Sequence, residues 1–270
     1  MNTQSTSIQW TDADANERFM GRWSRIAGHE FVRWLDLPAG LRWLDVGCGT
    51  GALTKVVLDD CGPAEAVGID PAEAQLSQVR RQVTDPKVTF VSGSGISIPF
   101  DEAEFDVAVS GLVLNFISEP ARMISEMRRV VRPGGRVALY VWDFAGGGGV
   151  SQHIAAVLAD LHPAAAQGAF AAQNAGTTHL ARLMKMFLDA KLEHIAVRPI
   201  DITIRYRDFD DYWHSNTGFT SPVARQIDAL APAECEALRT RIQASLPRSR
   251  TDGWIEYTAR ANAVQGLVPL

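Results

Sequence analysis

The sequence predicts an α/β fold with a mostly parallel sheet covered by helices on both faces. Three observations carry this expectation. Short apolar segments alternate with segments whose apolar residues recur at spacings of three and four, the signature of buried strands between amphipathic helices. Clusters of glycine and proline separate them. The first apolar segment runs directly into Gly47-Cys48-Gly49-Thr50-Gly51, a tight strand-to-helix turn.

The elements follow in order. Phe19, Trp23, Ile26, Ala27, Phe31, Trp34 and Leu35 form one helical stripe that Gly28 is expected to split in two, and Pro38-Ala39-Gly40 ends it. Strands are expected at Arg42 to Val46, Ala66 to Asp70, Val88 to Val91, Phe105 to Ser110 and Arg136 to Trp142. Leu53, Val56 and Val57 give the helix after the glycine turn an inward face, and a second helix runs from about Ala72 to Val83. Ser118-Glu119-Pro120 reads as a helix start with Ser118 as cap. Met123, Ile124, Met127, Val130 and Val131 form that helix's buried face, and Arg132-Pro133-Gly134-Gly135 stops it. Beyond Trp142 the pattern loosens. Leu180, Leu183, Met184, Phe187 and Leu188 make a stripe, Ala196 to Tyr206 alternates as a strand, Asp208 to Arg250 reads as helical, and Trp254 to Val264 as a final strand.

Composition bounds the rest. The chain has 270 residues, 46% hydrophobic and 21% charged, enough for one large domain with a sizeable core. Its 26 Lys and Arg against 31 Asp and Glu leave a net charge of −5, which argues against a nucleic-acid-binding surface. No run of 18 apolar residues is present, so no membrane span is expected. The polar opening MNTQSTSIQWTDADANER lacks an apolar signal core. Cys48, Cys61 and Cys235 are odd in number and form no CxxC pair, so neither a disulfide framework, a metal site nor secretion is suggested; a reducing cytoplasm is the expected compartment.

The glycine turn lets backbone approach a ligand without a Cβ in the way. In such sheets ligands sit beyond the carboxyl ends of the strands, at the switch point beside the first. Gly47, Gly49 and Ala52 also satisfy the dinucleotide pattern GxGxxA, and Asp70, at the end of the second strand, could accept from the ribose of either a nicotinamide dinucleotide or S-adenosylmethionine. Two details separate these. Asp45, two residues before the first glycine in an apolar strand, would repel a pyrophosphate and suits a ligand bearing an ammonium and a sulfonium. Gly51 makes the turn GxGxG, wider than a dehydrogenase elbow.

Leu44-Asp45-Val46-Gly47-Cys48-Gly49-Thr50-Gly51 resembles motif I of the class I S-adenosylmethionine-dependent methyltransferases. Val67-Gly68-Ile69-Asp70-Pro71 resembles their second strand with its ribose-binding acid. Phe105 to Ser110 with Val113-Leu114-Asn115-Phe116 resembles their fourth strand, and Arg132 to Gly135 the turn before the fifth. The likeness covers about a third of the chain and is nearest the small-molecule branch that includes ubiquinone- and menaquinone-biosynthesis (methyltransferase type 11) enzymes. It implies a Rossmann-like seven-stranded sheet with an antiparallel last strand: a helical N-terminal lid at 1–40, the cofactor-binding core at 41–207, a helical cap at 208–250 and the final strand and tail at 251–270.

It also implies roles. Gly47, Cys48, Gly49 and Gly51 would line the methionine part and ribose, Asp45 would hold the amino group, Asp70 would accept from ribose hydroxyls, and Pro71 would pack near the adenine. Ser94 stands where the family often has an adenine-binding acid, leaving a hydroxyl, Gly95, or the Ile96 backbone for that contact. Ser110, Gly111 and Leu112 would lie beneath the sulfur, and Arg22 could pair with the methionine carboxylate. The acceptor would be a small molecule.

Methyl transfer is an in-line displacement that asks the protein chiefly to position and desolvate. Where a base is needed, Asp143, His153 and His214 are the leading candidates, with Asn115 and Tyr212 behind them. Each has a plainer reading: a turn cap for Asp143, surface or packing residues for the histidines. Gly146 to Gly149 could hinge a lid, and Cys48 reads as a small packing residue. Two alternatives stay open: a module that binds S-adenosylmethionine or S-adenosylhomocysteine without catalysis, and a nicotinamide-dependent dehydrogenase.

Overall fold

The computed structural model describes residues 21–144, 146–163, 178–218, 222–249 and 252–270. Seven strands form one sheet: β1 (Arg42–Val46), β2 (Glu65–Asp70), β3 (Val88–Ser92), β4 (Phe105–Gly111), β5 (Val131–Trp142), β6 (Glu193–Tyr206) and β7 (Ile255–Leu267). Their order is β3-β2-β1-β4-β5-β7-β6. The first five are parallel, and β7 runs antiparallel to both β5 and β6. The strand order reverses at β1, so the turn after β1 stands at the switch point.

Strand alternation sends one residue set to each face. Trp43, Val107, Ala138, Tyr140 and Trp142 join a core with helix α1 (Arg22–Leu35) and helix α2 (Ala52–Cys61). Leu44, Val46, Val137, Leu139 and Val141 join a second core with α4 (Pro120–Val130) and α6 (Leu180–Asp189). Helix α3 (Glu73–Gln82) covers Phe90 and Cys48 through Leu76 and Val79. Helix α5 (Gln152–Leu161) follows β5, and helices α7 (Phe209–Thr217), α8 (Pro222–Asp228) and α9 (Pro232–Ser245) connect β6 to β7.

Four local expectations are corrected. Gly28 does not split the first helix: α1 runs through it, and a Cβ there would stand 3.3 Å from Val56 Cγ2, so glycine sets the close α1–α2 approach. The cap position of α4 is Glu119, not Ser118, with Pro120 in the first turn. On α6, Leu183, Met186 and Phe187 are buried, whereas Met184 and Leu188 face outward. β5 begins immediately at Val131, and the Arg132-Pro133-Gly134-Gly135 stretch is absorbed as a register shift between Phe105↔Val131 and Val107↔Arg136. The N-terminal lid expectation for residues 1–20, including Phe19 and Met20, lies outside the described residues, as does Ala145.

Candidate active site

The turn is built by backbone. The amides of Gly47 and Cys48 both donate to the Ile69 carbonyl, at 2.8 and 2.9 Å, and Gly51 donates to Cys48 at 2.8 Å. All three glycines have positive φ: 79° at Gly47, 53° at Gly49 and 82° at Gly51. Their surroundings differ. A Cβ on Gly47 would lie 2.6 Å from Val113, and one on Gly51 2.5 Å from Val79, but one on Gly49 would meet nothing within 4 Å. Gly47 and Gly51 are therefore needed by the protein's own packing, and Gly49 leaves open space on the side a ligand would take.

Two carboxylates flank this space. Asp45 is buried; Thr54 in the first turn of α2 donates to its Oδ2 at 2.6 Å, while its Oδ1 is buried without a hydrogen-bond partner. Burial, with the nearby charge of Asp70, pushes the Asp45 carboxyl up to about 7, partly offset by the Thr54 hydroxyl. Asp70 accepts from the Gly49 amide at 3.0 Å and the Ala72 amide at 2.8 Å, and burial raises its pKa. Each oxygen of Asp70 keeps further acceptor capacity for a hydroxyl. Burial and both acids hold the Cys48 thiol well above its usual range, so it packs rather than reacts; Gly68 makes room for it.

The other residues implied for the cofactor gather at the same edge. Pro71 is exposed after Asp70. The Ser94 hydroxyl faces the Ile96 amide at 3.4 Å, and Gly95 packs against Val46 and Met123. Ser110 donates to the Val46 carbonyl at 2.7 Å, tying β4 to β1. Gly111 lets the Tyr140 ring approach, and Leu112 is held at φ 63° with its amide on the Tyr140 carbonyl.

Arg22 packs on two aromatic rings. Its guanidinium lies 4.3 Å from the Trp23 ring and 4.7 Å from the ring of Tyr206, the last residue of β6, and reaches Asp211 at 3.4 Å and Ser215 at 3.3 Å. Two residues further on, the Ser24 carbonyl accepts from the Tyr140 hydroxyl at 3.3 Å, and the Tyr140 ring lies against Gly111.

The base candidates separate too. The Asp143 carboxylate caps its own turn, accepting from Gly146 at 2.9 Å. His214 is exposed, with Nδ1 at 2.7 Å from the Asp210 carbonyl oxygen. His153 packs edge-on against Tyr257 at 4.6 Å; its Nε2 is buried without a partner, and burial lowers its pKa. Tyr212 caps α5 through the Ile154 amide at 3.1 Å, and the Asn115 amide nitrogen is buried and unpartnered. The sequence reading missed Thr54, for which a hydroxyl in the first turn after the glycines was the available signal.

The fold and the glycine turn are similar to those of S-adenosylmethionine-dependent methyltransferases. Residues 44–139 match the methyltransferase domain family. Over 120 residues it is 34% identical to the 2-phytyl-1,4-naphtoquinone methyltransferase of Thermosynechococcus vestitus, covering 43% of this chain and 51% of the relative. The demethylmenaquinone methyltransferase of Bacillus subtilis is 33% identical over 110 residues, 39% of this chain and 47% of the relative. The chain thus spans about half the length of the curated relatives it matches. Among solved structures, YcgJ of Bacillus subtilis superposes with a TM-score of 0.58 at 15% identity, covering 91% of this chain and 99% of that one. Phosphoethanolamine N-methyltransferase 2 of Haemonchus contortus, solved with S-adenosylmethionine, gives 0.59 at 15% identity over 97% of this chain and 58% of that one. These likenesses are to the fold. No helix among the described residues is long and apolar enough to cross a membrane.

Proposed function

We propose that the protein transfers a methyl group from S-adenosylmethionine to a small-molecule acceptor, the cofactor lying across Gly47–Gly51 between Asp45 and Asp70. The observation that carries this reading is the buried, unpartnered Oδ1 of Asp45 beside the open space at Gly49. An isolated buried carboxylate oxygen is costly, and a cationic ligand satisfies it. Bound there, the cofactor supplies an electrophilic methyl on a sulfonium.

Every other contribution comes from the chain. Asp45, oriented by Thr54, holds the amino group, and Asp70, held by two backbone amides, accepts from the ribose hydroxyls. Cys48 fills the space under the turn; Pro71, Ser94, Gly95 and Ile96 border the adenine side. Ser110, Gly111 and the left-handed Leu112 shape the end where the acceptor approaches. Quinol-type acceptors fit the relatives' names.

Calorimetric titration with S-adenosylhomocysteine tests the site. Asp70→Ala is expected to weaken binding by about 1.5–3 kcal/mol, the worth of hydrogen bonds to a charged group. Unchanged affinity in a folded variant would move the ribose elsewhere.

A further inference from the structure

Tyr140 lies on the same face of the sheet as Asp45, with β4 between them. Trp43, two residues before Asp45, and Tyr140 belong to one core. Asp45 pairs with Val109 of β4, and Tyr140 pairs with Gly111, two residues further along. The Tyr140 ring reaches across β4: a Cβ on Gly111 would meet its hydroxyl oxygen at 2.8 Å and its Cε1 and Cζ at 3.0 Å. A Cβ on Gly28 of α1 would stand 3.6 Å from the same oxygen. Glycines on two elements thus leave room for one hydroxyl. The Phe31 ring packs against it, 4.8 Å away between centroids. Tyr140 is 1% exposed, yet among the described residues its hydroxyl makes a single hydrogen bond, donated to the Ser24 carbonyl at 3.3 Å. That is long for an O–H donor, and phenylalanine would fill the space without the cost of a poorly paired buried hydroxyl.

Asp45 belongs to the same interior. Its Oδ1 has no partner, so no hydrogen bond joins it to Tyr140. Burial, with the Asp45 charge added, nonetheless holds the Tyr140 phenol above its usual range and keeps it a neutral hydroxyl. The two groups are close enough to feel each other's charge and too far apart to bond, a spacing that a third polar group bridges. Gly47, Gly49 and Gly111 are part-exposed, so the ends of β1 and β4 beside these groups are open to solvent. Resting on the methyltransferase reading, we infer that Tyr140 is a second recognition residue for the cofactor's amino-acid end: its hydroxyl oxygen accepts from the ammonium that Asp45 Oδ1 also holds. Donation to Ser24 turns the phenol proton away and leaves the oxygen lone pairs for an N–H donor. An ammonium carries three such donors, enough for Asp45 and Tyr140 together. The oxygen that packing alone does not require is thereby given a partner.

Calorimetry tests this by comparing S-adenosylhomocysteine with its deamino analogue, which lacks only the ammonium. No binding of S-adenosylhomocysteine by the parent protein would overturn the methyltransferase reading and this inference with it. The parent is expected to bind the deamino analogue at least about tenfold more weakly, as loss of hydrogen bonds to a charged group requires; a parent that does not distinguish the two would overturn the inference alone. Tyr140→Phe removes one oxygen, keeps the ring and is expected to melt close to the parent. It should weaken S-adenosylhomocysteine about tenfold and leave the deamino analogue within about twofold. Equal losses for both ligands would make Tyr140 a packing residue, and unchanged S-adenosylhomocysteine affinity would remove it from the site; either result overturns the assignment. A second readout needs no variant at this position. With the tyrosine ζ carbons isotopically labelled in the parent, S-adenosylhomocysteine should shift the Tyr140 resonance and the deamino analogue should not; equal shifts would overturn the assignment as well.

Discussion

The two halves of the sheet treat polar atoms in opposite ways. Around the glycine turn, backbone amides settle the turn itself: Asp70 takes two of them and Ile69 receives two, while one oxygen of Asp45, the Trp43 indole nitrogen and the Asn115 amide nitrogen are left over. Around the ends of β5, β6 and β7, side chains of large aromatic residues do the packing, and several N–H groups are left over. A site made by backbone is dictated by where glycine must stand, so it tolerates little change. Packing made by side chains can be redrawn by substitution without disturbing the sheet.

The comparison breaks most sharply at the glycines. Gly51→Ala puts a Cβ 2.5 Å from Val79 at φ 82° and is expected to cost about 2–4 kcal/mol, seen as a lower denaturation midpoint. Gly49→Ala meets no protein atom and should cost only about 1–2 kcal/mol for its left-handed backbone. It should nonetheless weaken S-adenosylhomocysteine at least about tenfold, since the new methyl stands where the ligand belongs. Equal stability losses, with cofactor affinity spared at Gly49, would erase the distinction between structural and ligand-facing glycines.

Next in size is the pH dependence of the ligand-free protein. Unfolded, Asp45 ionises near 3.8; folded, it keeps its proton to about 7. Between those values the folded state binds more protons, so stability is highest at the acid end and falls as pH rises through the window, by on the order of a few kcal/mol. Asp45→Asn should flatten that slope in melts from pH 4 to 8 and should also weaken cofactor binding. A variant with the parent's slope would locate the titration elsewhere. Smallest is Tyr212→Phe, which uncaps the Ile154 amide and should cost about 1 kcal/mol in urea unfolding, with S-adenosylhomocysteine affinity unchanged.

Legibility in the sequence follows the same division. The parallel strands, the switch point, Asp45, Asp70 and the three glycines could be placed from spacing, because backbone geometry leaves few residue types for those positions. The antiparallel last strand came from family likeness. The contacts of Arg22 with Tyr206 and Asp211, more than 180 residues away in the chain, leave no trace in local pattern. Gly28 was read as a breaker because helix propensity weighs against glycine, whereas the tight approach of two helices selected it. The roles of Asp143 and His214 turn on one hydrogen bond each, which periodicity does not encode.

Because β7 is threaded between β5 and β6, order of assembly is built into the topology. The five strands around the glycine turn can pair as soon as residue 142 is available, but β6 has no neighbour until residues 255–267 arrive to bridge it. A nascent chain would therefore complete the half that holds the glycine turn first and expose the unpaired margin of β5 meanwhile. Premature termination would leave an aggregation-prone seam rather than a smaller closed sheet.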